Sequence, residues 1–288
     1  EAAFSNSRWL PSEGRVSRAN IIDRNGVILA TSVTTSSLYA DARLVTDGKR
    51  IARKLVKILP ELNEENMARR LNSGKAFVWL MRHLTPKQQE RVLRLGEPAL
   101  NFQRDEKRFY PHGSLCAHVL GMTDIDGKGI SGLEKSFDNQ LMQDPLKVFS
   151  ALDDRVQDET FQQDAVQTSI DVRIQSALHH QLIWAMEKFS TKSANGLVVD
   201  LKTGEVLAMA SLPDYDPNVD KGILPKEAYF NRNTLGIYEM GSTFKILNTA
   251  LVLETGVAKL SSLYDATKAL KVGRFRITDY RGKNQWLT

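Results

Sequence analysis

The sequence predicts an α+β first half and a second half in which a sheet is flanked by helices. Three observations carry this. Two apolar runs of strand length meet at Asn25-Gly26, a dipeptide that tolerates the positive φ angles of a tight hairpin turn. Three segments of helical periodicity follow before residue 100. A second hairpin turns at Lys202-Thr203-Gly204, and its strands are apolar on both faces, as in a sheet covered by helices. A polar stretch at 155–165 separates the halves, which places two domains at 1–162 and 163–288.

In chain order, residues 1–18 are polar, lack periodicity and read as an arm. The hairpin occupies 21–30, and a third strand is expected at Ser37-Leu38-Tyr39-Ala40. Helices are predicted over 48–59, 63–73 and 86–95, the last opening at Thr85-Pro86. Phe77-Val78-Trp79-Leu80 reads as a short buried strand. In the second half Val166-Gln167-Thr168-Ser169-Ile170 alternates like a strand, and Asp171 caps an amphipathic helix running to Phe189. Pro213 and Pro217 end the second hairpin, and a loop leads to a very apolar helix closed by Gly256.

Composition narrows the function classes. The chain has 288 residues, 42% hydrophobic and 25% charged, which is globular composition with an adequate core. The net charge of +5 is scattered, without a dense run or interleaved aromatic platform, which argues against nucleic acid. The Lys and Arg runs at 49–57 and 82–94 read as solvated helix faces. Cys116 is the only cysteine, so no internal disulfide forms, and it reads as a buried, inert thiol. No run approaches the roughly 18 apolar residues of a membrane span. The chain starts at Glu1 rather than methionine and reads as an excised piece, which leaves an anchor or targeting segment upstream open. His112 and His118 lack a carboxylate or cysteine at ligand spacing and read as structural, and Gly129 and Gly132 lack the context of a phosphate loop.

The chemistry concentrates at Tyr238-Glu239-Met240-Gly241-Ser242-Thr243-Phe244-Lys245, ahead of the apolar run 246–253. A spacing of three puts Ser242 and Lys245 on one helical face. A serine hydroxyl needs a neighbouring base to act as a nucleophile, and a lysine becomes one when burial and a helix N-terminus favour its neutral form. The expected setting is a buried helix below a cleft. Ser-x-x-Lys is a chance-level signal by itself, since serine is also a favoured helix-capping residue.

Context raises it. Arg18 with Ile21-Ile22-Asp23-Arg24-Asn25-Gly26 and Leu29-Ala30 forms one block. The clusters Arg108-Phe109-Tyr110-Pro111-His112-Gly113 to Gly121, and Gly129 to Glu134 and Asp138, form two more. Ser169-Ile170-Asp171 with Gln175, the run 203–213, and Asp216-Pro217-Asn218 with Asn231-Arg232 precede Gly241-Ser242-Thr243-Phe244-Lys245. In this order the blocks resemble the class B penicillin-binding proteins, the bacterial peptidoglycan DD-transpeptidases, over essentially the whole chain. The resemblance implies an α+β pedestal domain followed by the first part of an α/β penicillin-binding transpeptidase domain, an antiparallel sheet flanked by helices.

It also implies roles. Ser242 is the nucleophile toward the D-Ala-D-Ala carbonyl of a stem peptide, and Lys245 is its general base; β-lactams acylate Ser242 as substrate mimics. No metal or organic cofactor is implied. The expected partners are peptidoglycan stem peptides, a cell-wall glycosyltransferase and divisome proteins. The expected location is the periplasmic face of the bacterial inner membrane, and the division type is favoured over elongation. Ala19 and Met240 depart from the usual glycine and proline of the family's motifs. Ser-x-Asn and Lys-Thr/Ser-Gly motifs do not follow Ser242: Ser261, Ser262 and Asn284 do not form the first, and Lys202-Thr203-Gly204 precedes the serine as a turn. The chain is therefore expected to be incomplete, and its acylation slow or absent. The alternative is a non-catalytic interaction module of the division or elongation machinery. A soluble penicillin hydrolase or carboxypeptidase fits poorly with the large first domain.

Overall fold

The computed structural model describes residues 18–142, 165–219, 225–278, 282 and 284–288. The predicted arm before Arg18 and the predicted domain boundary at 162/163 lie outside the described residues. The chain forms two compact units, 1–235 and 236–288.

The first unit is organised by one long strand. β1 (Ile21–Ile22) turns through Gly26, at φ 85°, into β2 (Ile28–Ala40). The expected third strand is the end of β2, because the run Thr31 to Ser36 is rich in β-branched and small residues that suit a pleated surface. β4 (Leu100–Phe109) runs antiparallel to β2 from Thr31↔Phe109 to Ala40↔Leu100. On the other edge β1 pairs with the start of β2 and β3 (Val78–Leu84) with its end. Asn-Phe-Gln-Arg-Asp-Glu-Lys-Arg in β4 offers no apolar run, so periodicity gives no strand there. Its backbone is held by β2 over the whole length. β5 (Val166–Gln167) adds to β1 in parallel, shorter than the strand expected to reach Ile170.

Three helices cover one face. α1 (Gly48–Ile58), α2 (Glu64–Leu71) and α3 (Pro86–Leu93) start where the sequence marks them. The Asp47 carboxylate accepts from Arg50 N–H at 3.0 Å and Asn63 from Asn66 N–H at 2.9 Å, while Thr85 and Gln88 form a capping box ahead of Pro86. Ile51, Leu55, Met67 and Leu71 pack on Leu38, Leu80 and Leu84 of the sheet. Each fully buried Leu or Ile contributes about 1.5–3 kcal/mol.

The rest of the unit carries the motif blocks. α4 (Ala117–Leu120), α5 (Gly132–Ser136) and α6 (Asp138–Leu141) are short. α7 (Val172–Phe189) is capped by Asp171 as expected, and the Arg173 guanidinium holds that carboxyl well below the usual carboxylate range. α7 lies on the hairpin of β6 (Ala194–Val199) and β7 (Val206–Leu212), so close that a Cβ on Gly196 would sit 2.8 Å from Leu178 Cδ1. Among the described residues the other face of β6 is open at Leu197 and Val199, which corrects the expectation of a sheet covered on both sides.

The second unit contains a 3₁₀ turn (Gly241–Phe244), α8 (Lys245–Glu254) and two small pairings. β8 (Tyr264–Asp265) pairs with β11 (Trp286–Leu287), and β9 (Leu270–Val272) with β10 (Phe275–Ile277). None of its described side chains belongs to the buried core.

Candidate active site

The motif blocks of the first unit meet in a buried polar hub. Arg18 Nε donates to Glu134 Oε2 at 2.6 Å and Arg18 Nη1 to Asp138 Oδ1 at 2.7 Å, while Arg108 Nε reaches Glu134 Oε1 at 2.7 Å. Arg108 Nη1 also donates to the Ala19 carbonyl at 2.8 Å. Two guanidiniums and two carboxylates balance in charge, which lets Glu134 stay fully buried. Burial alone would raise Asp138, but the Gly129 N–H and Arg18 outweigh it and hold it below its ordinary value.

Glycines make the hub close. A Cβ on Gly121, at φ 74°, would lie 2.0 Å from the Ser131 carbonyl oxygen, and one on Gly132 would lie 2.5 Å from Gly121 N. Backbones approach this tightly only without side chains. Gly129 and Gly132 thus serve packing, and the phosphate-loop reading has no role to explain.

A second ring of contacts ties the hub's elements to residues 165–235. Asp23 Oδ2 accepts from Val172 N–H at 3.2 Å, and Asn25 Nδ2 donates to Asp171 at 3.2 Å. Burial pushes the Asp23 carboxyl up, but N–H donors from Val27, Val172 and Asn25 win and lower it. Gln175 is fully buried; its amide donates to the Leu115 and Met209 carbonyls and accepts from Met209 N–H at 2.8 Å. Asn218 brackets the Tyr110 backbone, accepting from its N–H at 3.0 Å and donating to its carbonyl at 2.9 Å. His118 is structural: its Nε2 lies 2.8 Å from the Ala228 carbonyl, and burial lowers its pKa. His112 sits at the start of the turn Gly113–Cys116. Cys116 is buried, its thiol pushed up to about 12 by burial, which fits an inert role.

Periodicity misses this hub as a unit. Its only signal is charged residues beside glycines, with Glu134 and Asp138 four apart so that both can face one way.

In the second unit Ser242 lies in the 3₁₀ turn, one turn before the α-helix proper that was expected to hold it. Lys245 N–H donates to the Ser242 carbonyl, closing that turn. At three residues per turn, positions i and i+3 are eclipsed, so Ser242 and Lys245 share a side. Thr249 Oγ1 caps the Lys245 carbonyl at 2.8 Å. The helix is not buried: Ser242 and Lys245 are exposed, and so are Ile246 at 69% and Leu251 at 60%. A helix apolar on every side needs cover on every side, and the short strands of this unit supply none. Lys202-Thr203-Gly204 is a hairpin turn, with Lys202 N–H held by Asp200 Oδ1 at 2.8 Å.

Comparison with known proteins agrees with this layout. Residues 14–145 match the penicillin-binding protein dimerisation domain and residues 195–287 the penicillin binding protein transpeptidase domain. The chain belongs to the class B penicillin-binding proteins. It is 38% identical over 264 residues to a probable peptidoglycan D,D-transpeptidase FtsI of Caulobacter vibrioides, covering 91% of this chain and 42% of that protein. It is 34% identical over 279 residues to a probable peptidoglycan D,D-transpeptidase PenA of Neisseria gonorrhoeae, covering 91% and 47%. The chain thus spans less than half the length of these two relatives. A peptidoglycan synthetase from Bifidobacterium adolescentis shares the fold, with a TM-score of 0.60 at 20% identity over 94% of this chain and 55% of that one. Within the family layout, the dimerisation match contains Arg18, Arg108, Glu134 and Asp138, and the transpeptidase match contains Ser242 and Lys245.

Proposed function

We propose that the protein is a serine-type peptidoglycan DD-transpeptidase in which Ser242 is the nucleophile and Lys245 the general base. The observation that carries this is the 3₁₀ turn of Gly241–Phe244, which sets the two side chains on one side at the head of an apolar helix, in a chain of this family. Lys245 takes the proton from Ser242 Oγ as the oxygen attacks the carbonyl of the penultimate D-Ala. The terminal D-Ala leaves as an amine, receiving a proton from Lys245, and an ester to Ser242 remains. An amine of a neighbouring stem peptide attacks that ester and restores the serine. β-Lactams open their ring on the same oxygen. The role requires Lys245 to be the neutral amine while substrate is bound, a form that exclusion of water favours. The Ser242 N–H is an oxyanion donor at the start of the turn.

The domains follow as pedestal, 1–162, and the start of the transpeptidase domain, 163–288. The protein works at the periplasmic face of the bacterial inner membrane, held by an anchor outside this chain. No helix among the described residues is long and apolar enough to cross a membrane. Its partners are a cell-wall glycosyltransferase and divisome proteins, and the three pedestal blocks resemble the division type. The test is D-alanine release from a D-Ala-D-Ala stem peptide by the full-length protein. Ser242→Ala is expected to lower the rate about 10³-fold or more. An unchanged rate would sink the assignment of Ser242 as nucleophile, and a wild type that releases no D-alanine would leave a non-catalytic interaction module.

A further inference from the structure

β2 is closed on one side by β1 and β3 and on the other by β4, and among the described residues β4 pairs with β2 alone. In an antiparallel ladder the N–H and C=O of one residue point to the paired strand, and those of the next point away. The ladder continues past Leu100, where the Ala99 carbonyl accepts from Asp41 N–H at 2.9 Å. Odd-numbered residues of β4 therefore face β2, and even-numbered residues face outward. The outward N–H groups of Leu100, Glu106 and Tyr110 are taken by the Glu97 carbonyl, Asp105 Oδ1 and Asn218 Oδ1, each at 3.0 Å. The outward N–H and C=O groups of Phe102, Arg104 and Arg108 have no hydrogen-bond partner among the described residues.

This edge runs into a cleft. Glu106, Lys107, Arg108 and Tyr110 line a space of about 470 Å³, together with Thr123 to Ile125, Gly127 and Pro217 to Val219. That size suits a short segment of chain. Asn218 ends the edge: its side-chain amide accepts from Tyr110 N–H and donates to the Tyr110 carbonyl at 2.9 Å, the two bonds a neighbouring strand would make. Ile125 and Val219 are exposed apolar side chains in the lining. The acids there are engaged, Asp124 by the N–H groups of Asp126 and Lys128, both at 2.9 Å, and Glu106 by a partner of its own. Lys107 in the cleft and Arg104 beside it are exposed and form no ion pair among the described residues. Unpaired backbone groups along an edge are a template for another main chain, and cations beside them select carboxylates.

We propose that the outer edge of β4, from Phe102 to Arg108, docks an extended acidic segment of a partner protein by strand addition. The partner's main chain pairs with Phe102, Arg104 and Arg108. Its apolar side chains rest on Ile125 and Val219, its carboxylates meet Arg104 and Lys107, and Asn218 fixes where the added strand stops. Neither the surface nor its test involves Ser242.

The probe is a set of synthetic seven-residue peptides with valine at alternate positions and Glu, Lys or Ser between them, titrated against the full-length protein by fluorescence anisotropy. The glutamate series is expected to bind about tenfold more tightly than the lysine series, and Lys107→Glu to reverse that order. Methylating the N–H groups of one alternate set in the best binder is expected to weaken it about tenfold or more, and methylating the other set to change little, because only one set donates to β4. Arg104→Pro removes an outward N–H and leaves the β2 ladder intact; it is expected to weaken binding about tenfold, with thermal melting as the check on folding. Absence of binding by every series would overturn the proposal, as would equal losses from the two methylated sets. So would an Arg104→Pro protein that melts normally and binds like the wild type. A wild-type dimer that Arg104→Pro splits into monomers, and that the peptides do not compete with, would overturn it too by giving the edge to a second copy of the chain.

Discussion

Residues 18–235 and residues 236–288 treat apolar and charged side chains in opposite ways. The first unit encloses even its charges: Arg18, Arg108 and Glu134 are buried together, and Leu, Ile and Ala residues fill two adjoining cores. The second leaves an apolar helix open, with Ile246, Leu247 and Leu251 exposed. The difference teaches that hydrophobicity alone does not bury a segment. A strand or helix is buried when a partner element has the complementary face, and β2 has partners on both edges while α8 has none among the described residues of its own unit.

The contrast can be broken most strongly at the hub. Arg18→Ala leaves Asp138 without its cation and the buried Glu134 with Arg108 alone, and is expected to cost about 3–5 kcal/mol in denaturant unfolding of the first unit. A loss below about 1 kcal/mol would mean that the ion cluster is not what holds the motifs together. Gly121→Ala sets a methyl against the Ser131 carbonyl at a positive φ, for an expected loss of about 2–3 kcal/mol by the same assay. Gln175→Leu removes three hydrogen bonds and leaves the Met209 N–H and the Leu115 carbonyl unpaired, a loss of about 1–3 kcal/mol; a neutral result would show that α7 is held by packing alone.

Protonation tests the same enclosure more gently. Burial lowers the pKa values of His83 and His118 from 6.5, so folding favours their neutral forms. The stability linked to them is present above pH 6.5 and declines as the pH falls below it. His118→Asn should flatten that decline in unfolding curves taken between pH 7 and 5. The smallest effect belongs to the open unit: Leu251→Ser on α8 is expected to move stability by less than about 0.5 kcal/mol in this chain. A loss comparable to a core substitution would show that the helix is covered.

Much of this architecture is legible in sequence. Asn25-Gly26, Thr85-Pro86 and Asp171 mark a turn and two helix starts, because capping and positive φ are local properties. β4 is not legible, since its strand character comes from pairing with β2, ten residues deep, rather than from its own charged sequence. The hub is visible only as separate motif blocks, because Arg18 and Glu134 are 116 residues apart. At the candidate site the spacing of Ser242 and Lys245 reads directly as a shared face. Their burial does not, since it depends on what packs against the helix rather than on the helix itself.

Ser242 is tested most directly by the mass of the intact full-length protein before and after a β-lactam, with peptide mapping of the adduct. The expected result is a gain of one drug molecule, mapped to Ser242 and absent in Ser242→Ala. An adduct on another residue, or one that persists in Ser242→Ala, would contradict the assignment of Ser242 as the nucleophile.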